Sequence, residues 1–367
     1  MSETRSRAQD EKYLRMACRL ARKAAGRTSP NPQVGAVVVR RGKVIGTGYH
    51  PFAGGDHAEI AALKRAGARA RGATLYISLE PCSHQGRTPP CTGALIRAGI
   101  KQVVCGTKDP NPLVAGRGFR QLRRAGIKVR AGVLEEECRA LIEGFAKYIT
   151  RRVPFATLKL AVTLDGRIAA ASGDARWISG GESRDTVHRL RNEVDAVIVG
   201  LGTVEADDPL LTCRIAGGRN PSRVVLDSRL RIPLSAKVLH LSDAGKTIIA
   251  TGKNASPAKI RALEALGVRV LRLPLKREQV SWGPLLKALA RQEIVSVMIE
   301  GGGAAAASAL KEKIVDKILF FYAPKILGGD GRPMIEALGF HRIRQAIAVK
   351  NLAFTRSGED LVVSGYL

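Results

Sequence analysis

Aromatic residues and long hydrophobic runs are both scarce in this sequence. Aromatic residues make up 4% of its 367 residues, which argues against a protein that stacks single-stranded nucleic acid on aromatic side chains. No stretch approaches the roughly 18 consecutive apolar residues that a membrane helix requires. The opening residues, MSETRSRAQD, lack the basic, apolar and small-residue order of a secretory signal. We therefore expect a cytoplasmic protein.

Cysteine is sparse as well. Six cysteines are spread between Cys18 and Cys213. In a long chain without a recognisable signal, this distribution does not predict a disulfide framework. Metal-binding or core positions suit these cysteines better.

Acidic residues are few relative to basic ones. The chain has 60 Lys and Arg residues against 32 Asp and Glu residues, a formal net charge of +28. This excess is compatible with nucleic acid, an anionic membrane or a phosphorylated small molecule as partner. The arginines recur singly along predicted helices, as at Arg15, Arg19 and Arg22, and a solvated basic surface has the same pattern. The charge alone does not choose among these partners.

The hydrophobic pattern of the first half predicts alternating helices and strands. Repeats of 20 to 50 residues are absent, and the length favours two domains. An opening helix and a hairpin are followed by an α/β series. The predicted helices are 11–25, 57–65, 91–97, 116–124 and 135–149, and the predicted strands are 34–39, 44–50, 73–79, 101–105 and 127–133.

The segment Arg151-Arg152-Val153-Pro154 interrupts this pattern, because proline cannot continue a helix. A second α/β series follows it. Its predicted strands are 155–164, 195–200, 223–227, 247–251, 268–273, 295–300 and 318–324. We therefore expect two domains, at residues 1–150 and 151–367.

A histidine, a glutamate and two cysteines of the first half are spaced as in zinc deaminases. His57 stands two residues before Glu59, and Cys82, preceded by proline, is followed by Cys91. One imidazole and two thiolates give zinc three ligands and leave its fourth tetrahedral position open, as in catalytic sites. Zinc with an open position lowers the pKa of water, which can then attack a ring carbon that carries an amino group. The pattern predicts one Zn²⁺ bound by His57, Cys82 and Cys91.

Glu59 is predicted to move protons, not to bind the metal. Residues i and i+2 of a helix do not share a face, so His57 and Glu59 are poorly placed to chelate one ion together. In the H-x-E arrangement of base deaminases, the glutamate carries protons between the nucleophile and the leaving amine. His57 and Cys91 are both predicted to open helices, where partial positive charge favours a thiolate. Each of these residues alone could be a core or cap residue, but the combination of the histidine, the glutamate and the two cysteines favours a catalytic zinc site.

The spacing of the two cysteines departs from the common P-C-x-x-C motif. Eight residues, SHQGRTPP, separate Cys82 from Cys91. With PNPQVGAVVV at 30–39, GYH at 48–50 and DPNPLVAGRG at 109–118, the segment closely resembles the bifunctional riboflavin-biosynthesis deaminase/reductase family. The resemblance implies a cytidine-deaminase-like three-layer fold. It also implies the substrate 2,5-diamino-6-(5-phosphoribosylamino)pyrimidin-4-one.

Carried over position by position, the resemblance assigns roles in the first half. It implies zinc binding by His57, Cys82 and Cys91 and catalysis by Glu59. The implied substrate-binding residues are Asn31, His50, Arg87, Asp109 and Asn111. Amide and carboxylate groups can bind ring edges, and an arginine in a glycine-flanked loop can bind a phosphate. Asn-Pro and Asp-Pro pairs also initiate turns, so that alternative stays open.

In the second half, three consecutive glycines, Gly301–Gly303, follow a predicted strand and precede an alanine-rich helix start. Bare amides at a helix N-terminus suit a phosphate, although a structural turn explains the glycines equally well. The pattern is not the Rossmann fingerprint. The segments LKLAVTLDGRIA, WISG, VGLGTVEADDPLLTCR, VVLDS and APKILGG resemble the reductase domain of the same family. That resemblance implies a dihydrofolate-reductase-like fold, NADPH as cofactor and hydride transfer to the ribosyl group.

The resemblance also assigns the reductase residues. The implied cofactor-binding residues are Ala161, Trp177, Thr203, Asp207, Ser228, Gly302, Gly303, Ala304, Ala305, Ala306, Ala307 and Ser308. The implied substrate-binding residues are Lys159, Arg191, Leu211, Arg214 and Glu300. Lys159 and Asp207 are candidates for polar assistance to hydride transfer. Alternatively, Lys159 points from a strand into solvent and Asp207 belongs to a turn.

Two other functions remain open. A nucleic-acid base deaminase similar to tRNA adenosine deaminases would share the zinc motif and the positive charge. A scaffold with one inactive half is the other alternative. On the riboflavin interpretation we expect a small phosphorylated pyrimidine as partner, with neither nucleic acid nor membrane. The oligomeric state is open, a homo-oligomer included.

Overall fold

The computed structural model describes residues 2–83 and 89–367, and the side chains of residues 2–6 are not described. The chain forms two compact units, Met1–Arg152 and Val153–Leu367. Within the described residues, none of the helices combines the length and the apolar character that crossing a bilayer requires.

The first unit contains one five-stranded sheet and six helices among its described residues. The strands are β1 Gly35–Arg40, β2 Lys43–Tyr49, β3 Thr74–Leu79, β4 Gln102–Thr107 and β5 Lys128–Ala131. The helices are α1 Ser2–Arg22, α2 Ala58–Ala66, α3 Cys91–Arg97, α4 Arg117–Arg124, α5 Glu135–Leu141 and α6 Glu143–Arg151, and a 3₁₀ turn spans Gly67–Ala70. The strand order is β2-β1-β3-β4-β5. The strand β1 is antiparallel to both neighbours, whereas β3, β4 and β5 are parallel.

Helices cover both faces of this sheet, because successive strand residues point to opposite sides. Ala36 and Val38 lie in a core with residues of α2, α3 and α4. Val37 and Val39 pack with residues of α1 and α5 on the other face. The three-layer arrangement expected for this half is confirmed.

Two features of the backbone bring side chains to the site described below. The strand β2 carries Gly48 where α2 packs against it, and a Cβ there would lie 2.3 Å from the carbonyl oxygen of Ala58.

The prediction of a single helix over residues 135–149 is wrong. Ile142 leaves the helical region, with φ −120° and ψ 14°, and its side chain is buried in the core. The chain therefore continues as a separate helix, α6.

The second unit contains thirteen strands among its described residues, nine of them in one large sheet and the other four in two two-stranded sheets. Its strands are β6 Phe155–Thr163, β7 Arg167–Ala169, β8 Ala196–Gly200, β9 Ser222–Leu226, β10 Thr247–Gly252, β11 Arg269–Leu273, β12 Leu275–Lys276, β13 Gln279–Val280, β14 Ser296–Glu300, β15 Lys317–Ala323, β16 Arg332–Pro333, β17 Lys350–Ser357 and β18 Asp360–Tyr366. Its helices are α7 Gly181–Glu193, α8 Leu201–Asp207, α9 Pro257–Ala265, α10 Trp282–Ala290 and α11 Gly303–Lys311, with 3₁₀ turns at Lys237–Leu239, Ala244–Lys246 and Ile343–Gln345.

The order of the large sheet is β11-β10-β9-β8-β14-β6-β15-β18-β17. The strands from β11 to β15 in that order are parallel, and β18 and β17 add an antiparallel edge. All seven strands predicted for this half are present and agree to within one residue at each end. The β17–β18 hairpin was not predicted from the sequence.

Candidate active sites

The three predicted zinc ligands meet at the ends of regular elements. His57 is the N-cap residue of α2, Cys82 follows β3 by three residues, and Cys91 is the first residue of α3. His57 Nδ1 lies 3.2 Å from Cys91 Sγ and 3.6 Å from Cys82 Sγ, and the three ligand atoms all lie within 4.8 Å of one another. In tetrahedral zinc sites, bond lengths of about 2.0–2.3 Å place neighbouring ligand atoms roughly 3.6–3.8 Å apart. The donor set and its spacing therefore fit zinc.

Hydrogen bonds join the two ends of the segment that links the cysteines. The Cys91 amide donates to Cys82 Sγ at 3.3 Å. The Thr92 amide and hydroxyl donate to the Cys82 carbonyl oxygen at 3.2 and 3.3 Å. Hydrogen bonds from Cys91 and His57 lower the pKa of Cys82 to about 4, against the effect of burial. These contacts favour the thiolate form of Cys82, which is the form that binds zinc.

Glu59 lies beside this cluster on the first turn of α2 and is only 3% exposed. Burial and the nearby Cys82 charge raise the pKa of Glu59 to about 7. The carboxyl group lines the same cavity as His57 and Cys82. A buried carboxyl group is thus placed next to the predicted metal position, where a proton carrier would have to lie.

A cavity of about 290 Å³ opens over the cluster. Four of the five residues predicted to bind substrate line it, namely Asn31, His50, Asp109 and Asn111. The fifth, Arg87, lies outside the described residues. The helix α6 adds Phe145, Tyr148 and Ile149 to the wall, and the sequence analysis did not predict these three. A cavity of this size suits one heterocycle with its substituents.

His50 and Asn31 form a fixed pair in this wall. His50 Nδ1 lies 3.0 Å from the Asp56 carbonyl oxygen, which can only accept, so this nitrogen carries the ring proton. His50 Nε2 therefore accepts from Asn31 Nδ2 at 3.1 Å. Burial lowers the pKa of His50 and keeps the ring neutral. Asn31 consequently offers its Oδ1 to a ligand as an acceptor.

Asp109 and Asn111 form turns and also reach the cavity. Asp109 Oδ1 accepts from the Asn111 amide at 2.8 Å, and Asn111 Oδ1 accepts from the Leu113 amide at 3.0 Å. Burial raises the pKa of Asp109 to about 7. The turn interpretation of these residues is therefore correct in geometry, and it does not exclude a ligand contact.

Glu80 holds this loop, and the sequence analysis missed it. Its buried carboxylate accepts hydrogen bonds from the amides of Asp109 at 3.2 Å, Gly116 at 2.9 Å and Phe119 at 3.2 Å. The segment that carries Cys82 is thereby tied to the loop that carries Asp109. An acidic residue at the end of a buried strand was the one available signal.

We expect Glu80→Gln to weaken substrate binding without loss of zinc. A glutamine oxygen can serve the Asp109 and Gly116 amides, but its NH₂ group then faces the Phe119 amide, which loses its acceptor. An unsatisfied buried donor costs about 1–3 kcal/mol. The measurement is KM for the pyrimidine and zinc content, with the exposed Glu136→Gln as matched control. An unchanged KM and an unchanged melting temperature would contradict this role for Glu80.

The glycine loop of the second unit joins β14 to α11. Gly301 and Gly302 have φ of 76° and 60°, a region that favours glycine. A Cβ on Gly301 would lie 2.9 Å from Thr203 Oγ1. A Cβ on Gly302 would lie 3.6 Å from the same oxygen, so Thr203 lies beside the start of the 302–308 segment that was predicted to bind the cofactor.

A cavity of about 430 Å³ lies beside this loop and includes Ser228, Ala304, Ala305 and Ser308 from the predicted cofactor set. The Ser308 hydroxyl accepts from Trp282 Nε1 at 3.0 Å and donates to the Ala305 carbonyl oxygen at 3.1 Å. The side chains of Ala306 and Ala307 are buried in the protein. Only the outer face of the first turns of α11 is therefore available to a ligand.

The other predicted cofactor residues do not line this cavity in the described structure. Trp177 is 62% exposed and lies under the guanidinium of Arg184, 4.6 Å from the ring centroid. The Asp207 carbonyl oxygen, at the end of α8, accepts from Arg176 Nη2 at 3.1 Å. Ala161 lies on β6 two residues after Lys159, on the same face of the strand.

Arg191 and Glu300 form a buried ion pair in the second unit. Arg191 Nε and Nη2 each donate to one Glu300 carboxylate oxygen at 2.8 Å. Burial acts to raise the pKa of Glu300, but the Arg191 charge outweighs it and the pKa is lowered. Lys159 pairs with Glu300 in the register of β6 and β14. Lys159 is 9% exposed and burial lowers its pKa, so the solvent-facing alternative for it is wrong.

The remaining predicted substrate residues lie near this pair or in the core. Arg214 Nε donates to His188 Nε2 at 3.1 Å, and burial and the two nearby arginines lower the pKa of His188. His188 was not predicted from the sequence, although its spacing of three residues from Arg191 on α7 was an available signal. The Leu211 side chain is 2% exposed and packs in the core, so Leu211 can offer a ligand only its backbone.

Comparisons with known proteins match both halves of the chain. Residues 7–107 match the cytidine and deoxycytidylate deaminase zinc-binding region, and residues 154–363 match the RibD C-terminal domain. The riboflavin biosynthesis protein RibD of Aquifex aeolicus is 48% identical over 96% of this chain and 97% of its own length. These matches confirm the predicted cytidine-deaminase-like and dihydrofolate-reductase-like halves.

Two solved structures are also similar over 98% of this chain and 99% of their own. One is RibD of Acinetobacter baumannii, with 38% identity and a TM-score of 0.88. The other is a diaminohydroxyphosphoribosylaminopyrimidine deaminase/5-amino-6-(5-phosphoribosylamino)uracil reductase of Thermotoga maritima, with 39% identity and a TM-score of 0.84. The chain therefore belongs to the RibD family of riboflavin biosynthesis proteins.

Proposed function

We propose that this chain catalyses two successive steps of riboflavin biosynthesis. The first unit deaminates 2,5-diamino-6-(5-phosphoribosylamino)pyrimidin-4-one by hydrolysis. The second reduces the ribosyl group to ribityl with NADPH, giving 5-amino-6-(5-phosphoribitylamino)uracil. The observation that carries the proposal is the cluster of His57, Cys82 and Cys91, at a cavity whose wall includes His57, Cys82 and Glu59.

In the first unit, the protein supplies ligands, a proton carrier and a desolvated pocket. Zinc, when bound by His57, Cys82 and Cys91, lowers the pKa of water so that it becomes a nucleophile near neutral pH. Glu59 takes a proton from the attacking water and delivers it to the amino nitrogen, which leaves as ammonia. Burial of Glu59 keeps bulk water from competing for this transfer.

The cavity wall orients the pyrimidine. Asn31 is held by His50 with its Oδ1 available to a ring N–H. Asp109 and Asn111 approach from a loop that Glu80 fixes. We assign the phosphate of the substrate to Arg87, whose guanidinium can bind it through two hydrogen bonds.

In the second unit, the protein mainly positions two ligands. NADPH supplies the hydride that reaches C1′ of the sugar. We assign it to the glycine loop with α11, together with Thr203 and Ser228, and to Ala161, Trp177 and Asp207. We assign the substrate to Lys159, Arg191, Arg214 and Glu300 and the backbone of Leu211. Lys159 and Asp207 remain the candidates for polar assistance at the reacting carbon.

The test is to supply the zinc-loaded protein with the diaminopyrimidinone ribotide and to follow ammonia and then NADPH absorbance. We expect ammonia without NADPH, and NADPH oxidation only after deamination. Absence of ammonia would refute the first half of the proposal. Absence of NADPH oxidation with the deaminated compound supplied directly would refute the second.

We further propose that the chain works in the cytoplasm, without a nucleic-acid or membrane partner. None of its six cysteines forms a disulfide, which suits a reducing compartment. A salt-sensitive complex with tRNA, accompanied by inosine formation, would instead favour a nucleic-acid deaminase.

We propose that the chain forms a homo-oligomer through β17. This strand is at the edge of the nine-stranded sheet, and its Leu352 and Phe354 side chains are 51% and 62% exposed on one face. Unpaired edge strands with exposed apolar residues are association sites. A second copy can add antiparallel to the same edge by two-fold symmetry.

Replacing Phe354 by glutamate should reduce the molar mass measured in solution to that of a monomer. The added carboxylate would be buried where the β17 strands of two copies meet, and the oligomer would dissociate. The measurement is light scattering after size exclusion at micromolar concentration. The matched control is Phe340→Glu, at an exposed phenylalanine outside any strand. A monomeric wild-type protein, or an oligomer unaffected by the change, would contradict this assignment.

A further inference from the structure

His188 is a buried histidine to which the proposed reaction gives no role, and it contacts a residue assigned to the substrate. It lies on the buried face of α7 and is 9% exposed. Arg214 Nε donates to His188 Nε2 at 3.1 Å. Because Arg214 Nε can only donate, His188 Nε2 is the unprotonated nitrogen of a neutral ring, and Nδ1 carries the proton. His188 therefore accepts from this arginine only while its ring is neutral.

The backbone next to Arg214 is fastened to the same helix. The Thr212 carbonyl oxygen accepts from Arg191 Nη1 at 3.2 Å. Cys213 Sγ donates to the His188 carbonyl oxygen at 3.4 Å. The two residues that precede Arg214 are thus both hydrogen-bonded to α7, and the bond to His188 Nε2 adds the side chain of Arg214 to this attachment.

The rest of the Arg214 guanidinium is available to a ligand. Arg214 is exposed, and its Nη1 and Nη2 form no further hydrogen bond or ion pair within residues 2–83 and 89–367. The substrate assigned to this unit is charged through its phosphate, and guanidinium groups bind phosphate oxygens through paired hydrogen bonds. Arg214 therefore suits the phosphate of that substrate.

Resting on the proposed reduction of the pyrimidine ribotide by this unit, we infer that His188 is a positioning residue of the reductase, which holds the Arg214 guanidinium in the orientation that binds the substrate. A long arginine side chain without such a contact has to be ordered when the ligand binds, and this ordering weakens binding. His188 therefore contributes to substrate affinity without touching the substrate.

This role makes the substrate affinity of the reductase sensitive to acid. Protonated His188 can no longer accept from Arg214, and it adds a positive charge beside Arg191 and Arg214. Burial and these two arginines lower the pKa of His188, against the effect of Glu300, so the ring is neutral at neutral pH. The phosphate of the substrate also gains a proton near a pH of about 6. In acid, KM should therefore rise more steeply than the phosphate alone would cause.

The test supplies the intact, zinc-loaded protein with the deaminated ribotide and NADPH, and it measures KM and kcat as functions of pH. His188→Ala should raise KM for the pyrimidine about fivefold at neutral pH, with a much smaller change in kcat. His188→Gln should keep the wild-type KM, because the amide oxygen can accept from Arg214 Nε. Glutamine does not titrate, so in this variant KM should rise in acid only as steeply as the phosphate requires. The exposed His341→Ala is the matched control and should behave as the wild type.

A double variant separates positioning from a structural role. Arg214→Gln alone should raise KM by about tenfold or more, because it removes a charge-assisted contact with the substrate. Adding His188→Ala to Arg214→Gln should raise KM no further, since His188 acts through Arg214. An unchanged KM in His188→Ala, an equal effect of that change with and without Arg214, or a wild-type pH profile in His188→Gln would overturn the inference. A wild-type protein that leaves NADPH unoxidised would refute the proposed reductase itself.

Discussion

Replacing Glu59 by glutamine should abolish ammonia release while leaving zinc bound and the reduction intact. The glutamine side chain keeps the size of the glutamate but cannot accept a proton from water. General acid–base groups contribute about 10²–10⁴ to the rate of such reactions. We therefore expect a loss of that size in kcat, with KM for the pyrimidine changed much less. Ammonia release and metal analysis measure the two quantities.

The second activity is the internal control for this variant. Supplied with the deaminated compound, Glu59→Gln should oxidise NADPH at the wild-type rate, because the two units have separate sheets and cores. Deamination within tenfold of the wild-type rate would remove Glu59 from the proton-transfer role. Loss of zinc from the variant would instead assign Glu59 to the ligand set.

Replacing Glu300 by glutamine should disable the reductase unit. Arg191 makes two hydrogen bonds to Glu300 in a buried setting, and removing one partner leaves a buried charge without compensation. Such changes cost about 3–5 kcal/mol. For a unit of this size, we expect the melting temperature to fall by more than about 6 °C. NADPH oxidation should fall about 100-fold, because displaced positioning groups have effects of that order.

A second variant separates misfolding from lost chemistry. The double change Glu300→Gln with Arg191→Met removes both charges and should recover much of the stability, but not the reduction. The exposed Glu205→Gln is the control for loss of one acidic group. A single Glu300→Gln variant with full stability and full NADPH oxidation would show that the ion pair has neither role.

In the first site, the residues that local sequence patterns define were predictable, and the residue that depends on contacts with distant parts of the chain was not. The zinc ligands were predictable because His57, Cys82 and Cys91 each lie at the end of a strand or helix that the hydrophobic pattern defines. The role of Glu80 in holding the Asp109 loop was not predictable, since its three hydrogen-bond partners lie 29 to 39 residues further along the chain. Nothing in their local sequence indicates an acceptor.

In the second unit, the strands were predictable but the environment of their side chains was not. A continuous apolar run predicts a buried strand, and the predicted bounds are close to the observed ones. Lys159 could have faced water or protein on that evidence, and only the neighbouring strands decide that it is buried. The β17–β18 edge was missed because most of β17 is exposed and shows little hydrophobic periodicity.

The hydrogen bonds from Cys91 and Thr92 to Cys82 hold the two cysteines in place. The positions of their thiol groups therefore do not depend on the number of residues between them. Each doubling of the length of a loop costs only about 0.6 kcal/mol in closure entropy, and here the two ends are hydrogen-bonded to each other at the predicted zinc ligands. A lineage could therefore lengthen or shorten this segment without rebuilding the zinc site. Insertion and deletion at one point would then be a route by which deaminases acquire new substrates while their metal chemistry stays the same.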